Sequence, residues 1–449
     1  MRLRSARKVR NALVGTVAVC ALAACGGGGD DNDGDGGSTS GDTKDSGAEE
    51  GAGGGDDGAP EDTPPALQLT VPAAYDTSRG WQTDGIGTTL ALPRSGAVAT
   101  FTGDGIAEGT FTVRDVTNGE PLWTSAPVTA VGESSLGSFT LTSGGAEYLV
   151  AWSAGAAGAD AVDRGDDTVS IDIFAVEGAS GDAVEPLHVD VPGEGSVSDG
   201  GTALLVELGD GKVVSVDPAT GETAEHDPET LAPPASCKDC SPGGEIFAMT
   251  ANGPLATDSW SYDGLWVPGG WASGDLTPAD ARSDSSPTGI FIGDNLLLTQ
   301  WEREGDDADI WVALDTATGE TISTVTCQPD DGWGGSGGDG EPALSGDARY
   351  LVNDQVVLDL QEGTGVCYLP TEETNEITFT SVSSTGTAWG TAHVSDGWST
   401  TEEPVAVEVA SGEYESLADG PVYPFDDFGG MGLFLDEESN TVVVYPHAE

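Results

Sequence analysis

Basic residues are scarce in this 449-residue chain: 15 Lys and Arg stand against 77 Asp and Glu, a formal net charge of −62. Five of the 15, Arg2, Arg4, Arg7, Lys8 and Arg10, crowd in before Ala12. A body so anionic repels phosphate backbones, which excludes nucleic acid as a partner. It repels anionic lipid headgroups too, so no basic patch holds it to a membrane. What remains is a draw on counter-cations, calcium among them, although bulk charge defines no metal site. After Ala24 no apolar run reaches the roughly 20 residues that span a bilayer. Histidine is sparse as well. His188, His226, His393 and His447 fall one per segment, with no metal-ligand spacing. Carboxylate pairs are everywhere and therefore single out none. Gly334-Gly335-Ser336-Gly337-Gly338 has the letters of a nucleophile elbow, but that motif works only on a strand–turn–helix, and here it lies in a glycine-rich loop. Sustained helical periodicity is also missing.

The N-terminus is the exception to this polarity. Its basic start is followed by an uncharged, mostly apolar run from Ala12 to Ala24. Positive flank, short apolar core and small residues at the exit describe a secretory signal over residues 1–24. The exit, Leu22-Ala23-Ala24-Cys25-Gly26, resembles the lipobox of bacterial lipoproteins. That resemblance implies a diacylglyceryl group on the Cys25 thiol and cleavage that leaves Cys25 as the first mature residue. Two or more acyl chains make a stable anchor where one is marginal. The expected location is the outer face of the cell membrane, held by lipid alone.

Residues 25–66 collapse to Gly, Asp, Glu, Ser and Thr with no large apolar side chain until the end. Such a segment cannot bury enough surface to offset ordering and is expected to be disordered. Asp30-Asp31-Asn32-Asp33-Gly34-Asp35 looks superficially like a calcium loop but lacks the flanking helices and closing Glu. As a coil of about 40 residues the linker reaches roughly 35 Å, more with self-repulsion.

From residue 67 to 449 the chain reads as short β-rich runs separated by Gly, Asp, Asn and Ser. One unit recurs: an alternating strand, an Asp, and a turn ending in Gly. It appears as Phe111-Thr112-Val113-Arg114-Asp115-Val116-Thr117-Asn118-Gly119-Glu120, again from Val213 to Glu222 around Asp217 and Gly221, and again from Ile310 to Glu320 around Asp315 and Gly319. Looser copies run from Ile171 to Gly181, Val356 to Gly363 and Val405 to Glu413. Gly supplies the positive φ the turn needs, and Asp caps it. A period near 45 residues is about one four-stranded propeller blade. The predicted fold is all-β, a β-propeller of four-stranded blades, seven in number with eight as the alternative. The last strand, Thr441 to Tyr445, is expected to pair with the first blade and close the ring.

The strand–Asp–x–x–Thr/Asn–Gly unit, with Leu122-Trp123 after Gly119, resembles the repeat of pyrroloquinoline-quinone-like propellers over most of residues 100–416. There an aromatic after the turn docks blades together. Only the first copy keeps Leu-Trp, so docking elsewhere must differ. That repeat serves quinone-dependent dehydrogenases and also non-catalytic scaffolds, including lipoproteins of envelope assembly. The dehydrogenases carry two adjacent cysteines at the cofactor. This chain has none adjacent, so no quinone residue can be carried over and no cofactor is expected.

Six cysteines occur. Cys20 leaves with the signal and Cys25 is lipidated. Cys237, Cys240, Cys327 and Cys367 remain and allow three pairings. Spacing favours Cys237–Cys240 as a loop staple and Cys327–Cys367 as a bridge between neighbouring blades, because each of the latter follows a repeat glycine. A four-thiolate zinc site on Cys237-Lys238-Asp239-Cys240 is the alternative.

The functional reading is a non-catalytic binding or scaffold protein of the envelope, not an enzyme. A glycan hydrolase or lyase acting on envelope polymers, with its site in the propeller channel, is the alternative. The candidate binding surface is the degenerate unit, where Trp260, Tyr262, Trp266 and Trp271 lie close together near Asp258 and Asp263. Trp beside carboxylates suits sugar faces or a protein partner; blade packing is the competing role. Cys25→Ala is expected to release the protein into the medium or leave it unprocessed, as read by membrane fractionation and intact mass. A processed, membrane-bound variant would refute the lipid anchor.

Overall fold

The computed structural model describes residues 64–448 except 84–86, 104–106, 133, 159–164, 238–239, 258–263, 283–286, 294, 307, 329–340, 372–373, 396–399 and 418–419. The signal segment, Cys25, most of the linker and the glycine-rich Ser336 loop lie outside the described residues.

The strands form eight separate sheets, so the propeller has eight blades where the repeat count favoured seven. Blade 1 is Thr88–Leu92, Ala97–Gly103, Glu108–Asp115 and Pro121–Ser125; blade 2 is Gly137–Ser143, Ala146–Ala157, Asp166–Ala175 and Leu187–Pro192. Blade 3 is Gly195–Asp199, Leu204–Leu208, Val213–Val216 and Thr223–His226. Blade 4 has three strands, Ile246–Thr250, Gly253–Thr257 and Leu265–Trp266. Blade 5 is Thr288–Gly293, Leu296–Glu302, Asp309–Asp315 and Thr321–Cys327; blade 6 is Ala343–Leu344, Tyr350–Asn353, Val356–Asp359 and Thr364–Cys367. Blade 7 is Glu376–Val382, Thr387–Ser395, Thr400–Glu408 and Tyr414–Ser416. Blade 8 takes Asp426–Phe428, Met431–Asp436 and Thr441–Pro446 from the C-terminal end and its fourth strand, Trp81–Gln82, from the N-terminal end. Trp81 pairs with Val444 and Gln82 with Val443, so the ring is closed by the two ends of the fold within one sheet, and the last strand pairs with this N-terminal segment rather than with blade 1.

Burial follows this architecture. The middle strands lie between two neighbouring blades and are covered on both faces. Val213–Val216, Tyr350–Asn353 and Val356–Asp359 are accordingly buried throughout and read as continuous runs rather than alternating ones. Outer strands face solvent; Tyr414–Ser416 is exposed along its length. One segment leaves its own blade: Gly181–Val184 crosses from blade 2 and adds a parallel fifth strand beside Pro121–Ser125 of blade 1.

The recurring turn joins the third and fourth strands of blades 1, 3, 5 and 6. Gly119, Gly221, Gly319 and Gly363 donate their amides to the carbonyls of Asp115, Asp217, Asp315 and Asp359 at 2.8–2.9 Å. Each Asp carboxylate accepts an amide inside the turn, from Thr117, Ala219 and Thr318 at 2.8 Å and from Gln361 at 3.0 Å. Blade 7 repeats the backbone bond from Gly412 to Glu408.

These glycines are also sockets for the preceding blade. Gly119 has φ +72°, and a Cβ there would come within 2.7 Å of the Trp81 ring. The Trp81 indole N–H donates to the Val116 carbonyl at 2.8 Å. Gly319, at φ +76°, meets Trp271 in the same way, 2.9 Å from a would-be Cβ, and the Trp271 indole donates to Thr316 at 2.9 Å. Leu187 and Val189 of blade 2 occupy the socket at Gly221, the backbone carbonyl of Ile322 of blade 5 faces Gly363, and Tyr368 approaches Gly412. Trp123, the aromatic of the first repeat, docks blade 1 on Phe174 of blade 2 at 6.3 Å between ring centres.

The cysteines pair as Cys237–Cys240 and Cys327–Cys367. All four sulfurs are thus taken, which leaves no thiolate set for the zinc alternative. Cys327 ends the outer strand of blade 5 and Cys367 that of blade 6, so the longer bridge staples neighbouring blades. It closes a separation of 40 residues, for which chain entropy gives about 4 kcal/mol. Replacing both with Ser should cost about that much in denaturant unfolding. The Cys237/Cys240 double Ser variant, with a separation of three residues, should lose about half as much or less. Equal losses would contradict the assignment.

Candidate functional site

The strands alternate in direction, so the turns between second and third strands and the connections from blade to blade share one face of the ring. On that face an open cleft of about 570 Å³ lies between blades 3 and 4. One wall is the turn from Leu208 to Val213, closed by hydrogen bonds from Leu208 to Lys212 and from Gly211 to Leu208. The other wall is the connection 227–246. Asp227 starts it by accepting the Glu229 amide at 2.9 Å, and the Gly243 amide returns to Pro228 at 2.8 Å. The Cys237–Cys240 bridge and Leu231 anchor the same connection on Leu205, Val213, Ile246 and Trp266.

Carboxylates dominate the lining: Glu207, Asp210, Asp227, Glu229 and Glu245. The one cation of the lining, Lys212, is held by Glu225 at 2.6 Å. That hydrogen bond and its charge raise the ammonium above its ordinary value. The same local neutralisation recurs across the molecule, with Arg79 on Asp76, Arg282 on Glu302, Arg303 on Asp306 and Arg349 on Asp359. Cations are consumed by neighbouring acids, and the acid surplus is left facing water.

The inner strands of the eight blades carry Ser, Thr, Gly and apolar residues, with Asp199, Glu376, Asp426 and Asp427 as their acids. These acids are engaged in structural bonds. Asp199 caps its own turn through the Gly201 amide at 2.7 Å. Glu376 accepts the Gln355 side-chain amide. Asp426 accepts the Asp427 amide at 2.8 Å, and Asp427 is tied to Tyr75 and His447 at 2.7 Å each. Among the described residues no group of three or more His, Cys, Asp and Glu is placed to hold a metal ion.

The four histidines stand apart. His188 sits between Asp172 at 2.7 Å and Asp190 at 3.3 Å on blade 2, and the hydrogen bond to Asp172 raises its proton affinity. His226 meets the Ser215 hydroxyl at 2.9 Å, and burial lowers it. His393 meets the Thr378 hydroxyl at 3.1 Å. His447 belongs to the cluster with Asp427.

The aromatic surface expected in the degenerate unit is corrected in part. Trp266 is fully buried, in the cluster joining blades 3 and 4. Trp271 is 6% exposed and fills the socket at Gly319. Both rings are interblade packing: Trp266 joins blade 4 to blade 3 and Trp271 joins it to blade 5. Trp260 and Tyr262, with Asp258 and Asp263, lie outside the described residues. Sequence reasoning missed the acid cleft because no motif marks it; its walls come from a turn and a connection that only blade stacking brings together.

No protein-family model and no curated protein matches this chain. Among solved structures it is similar to the β-propeller domain of Cps50 (Swd1) from Myceliophteria thermophila, at 11% identity over 82% of this chain and 97% of that one, TM-score 0.37. BamB from Moraxella catarrhalis shares 11% identity over 82% and 96%, TM-score 0.35. An uncharacterized protein from Listeria monocytogenes EGD-e shares 9% over 79% and 92%, TM-score 0.36. At that distance the eight sheets themselves, not these likenesses, define the architecture.

Trp271→Ala should remove a buried ring together with its hydrogen bond and destabilise the fold by roughly 3–5 kcal/mol. Differential scanning calorimetry would register a clear loss. An unchanged transition would return Trp271 to the binding-surface reading.

Proposed function

We propose that this chain is an extracytoplasmic, lipid-anchored propeller that acts as a non-catalytic binding or scaffold protein of the cell envelope. The observation that carries the binding role is the acid-lined cleft between blades 3 and 4, whose single cation is already neutralised by Glu225. Such a surface attracts cationic groups and steers them over a distance set by ionic strength. The partner that fits is a protein segment rich in Lys and Arg. The anchor rests on the Leu22-Ala23-Ala24-Cys25 exit, and scaffold use agrees with a repeat fold whose inner strands spend their acids on structural bonds.

A cationic peptide such as oligolysine should bind the protein, and affinity should fall steeply between low and physiological salt. Asp210→Asn with Glu229→Gln should weaken that binding several-fold, with the unfolding transition unchanged, because both side chains are exposed. Calorimetric titration reads both arms. Binding that ignores the double variant would move the contact elsewhere on the ring, and binding that ignores salt would reject the electrostatic reading. Turnover of an envelope glycan by the purified protein would favour the enzyme alternative instead.

A further inference from the structure

The chain ends of the fold meet at a buried cluster that the binding role does not use. Residues 64–83 form a strap across blades 7 and 8. Leu67 donates its amide to Gln82, Leu69 to the Tyr445 hydroxyl and Asp76 to the Pro446 carbonyl, while Val422 and Ala448 donate to Thr70 and Ala74 of the strap. The strap also supplies the outer strand of blade 8, so holding it is what keeps the ring closed.

Tyr75 of the strap is buried. Its ring lies over Gly432, where a Cβ would be 2.4 Å away, with its centre 4.9 Å from Phe434 and 5.8 Å from Trp389. Its hydroxyl donates to Oδ2 of Asp427 at 2.7 Å, and His447 Nε2 reaches the same oxygen at 2.7 Å. Oδ1 of Asp427 has the Ser384 amide at 3.4 Å. Asp427 is 1% exposed. A carboxylate so far from water is costly unless its charge is met. Tyr75 brings no charge. Burial and Asp427 raise its ionisation far above the ordinary range, so it remains a phenol and a donor. The compensating charge must come from His447.

We propose that Tyr75, Asp427 and His447 form a proton-operated clasp that fastens the N-terminal strap onto blade 8. With His447 protonated, the buried carboxylate is neutralised and both donors are held on one oxygen. With His447 neutral, its Nε2–H tautomer still donates alongside Tyr75, but the charge of Asp427 is unmet, and the strap loosens. The hydrogen bond with Asp427 raises the proton affinity of His447, against the opposing effect of burial. A group raised in the folded state stabilises fully below its unfolded value, about pH 6.5, and the contribution is lost as pH rises through the folded value. Among the described residues, Asp427 and Tyr75 are titratable groups in contact with His447. Of their neighbours in sequence, Asp426 accepts the Asp427 amide, and Asp76 is tied to Arg79 at 2.8 Å.

His447→Gln keeps a neutral donor and removes the charge. Hydrogen exchange of the Asp76, Val422 and Ala448 amides would be compared between variant and wild type at about pH 6 and about pH 9. The variant should exchange these amides roughly fivefold faster at the acid value, the gap between charge-assisted and neutral hydrogen bonds. The two proteins should converge at the alkaline value. An equal ratio at both values, or a change spread evenly over blades 2 to 6, overturns the clasp. So does an imidazole titration by NMR that places the His447 midpoint at or below about 6.5.

Discussion

The structure depends on a contact made repeatedly around the ring: the outer edge of one blade seated on the turn glycine of the next. A glycine without Cβ lets a ring or aliphatic side chain lie directly on the backbone, and the turn carbonyl beside it takes the indole N–H where the seated residue is Trp. Trp81 and Trp271 occupy equivalent sockets at Gly119 and Gly319, although they come from unrelated places in the sequence. Leu187 and Val189 do the same at Gly221 with aliphatic contact alone, and at Gly363 the neighbour is the backbone carbonyl of Ile322. Each blade therefore stands only as well as its neighbours hold it, which suits an architecture built from units that cannot bury both faces alone.

Such a ring has two weak places, and each carries reinforcement. Blade 4 shows three strands among the described residues, and the Cys237–Cys240 bridge with buried Trp266 and Trp271 reinforces it on either side. Blade 8 is assembled from both ends of the fold, and the strap with Tyr75, Asp427 and His447 holds that seam. The Cys327–Cys367 staple adds a covalent tie between blades 5 and 6. The acid surplus works against all of these contacts by mutual repulsion, and it is also the basis of the cationic partner proposed for the cleft between blades 3 and 4.

The turn units of blades 1, 3, 5 and 6 were legible because Asp and Gly serve the turn locally, within five residues, and local chemistry leaves a local mark. The blade count was not. The turn after Leu265–Trp266 of blade 4 keeps glycine, with Gly269 at φ +69°, but has no Asp at its start, and blade 8 is divided between Trp81–Gln82 and the segment from Asp426 onward, so neither shows the repeat. The aromatic cluster misled for a related reason: Trp266 and Trp271 look like a surface by composition, while burial is decided by the blades on either side.

Sequence alone determined the all-β class, the acidic character and the turn chemistry, and it favoured the pairing of cysteines that the structure has. Tertiary structure alone decided that eight sheets complete the ring, that Trp81 and Trp271 are equivalent, that five carboxylates line one cleft, and that Tyr75 and His447 share an oxygen of Asp427. The division has one physical cause. Turns and strand periodicity are set by residues a few positions apart, whereas sockets, clefts and clasps are made by side chains far apart in the chain that meet only when the ring closes.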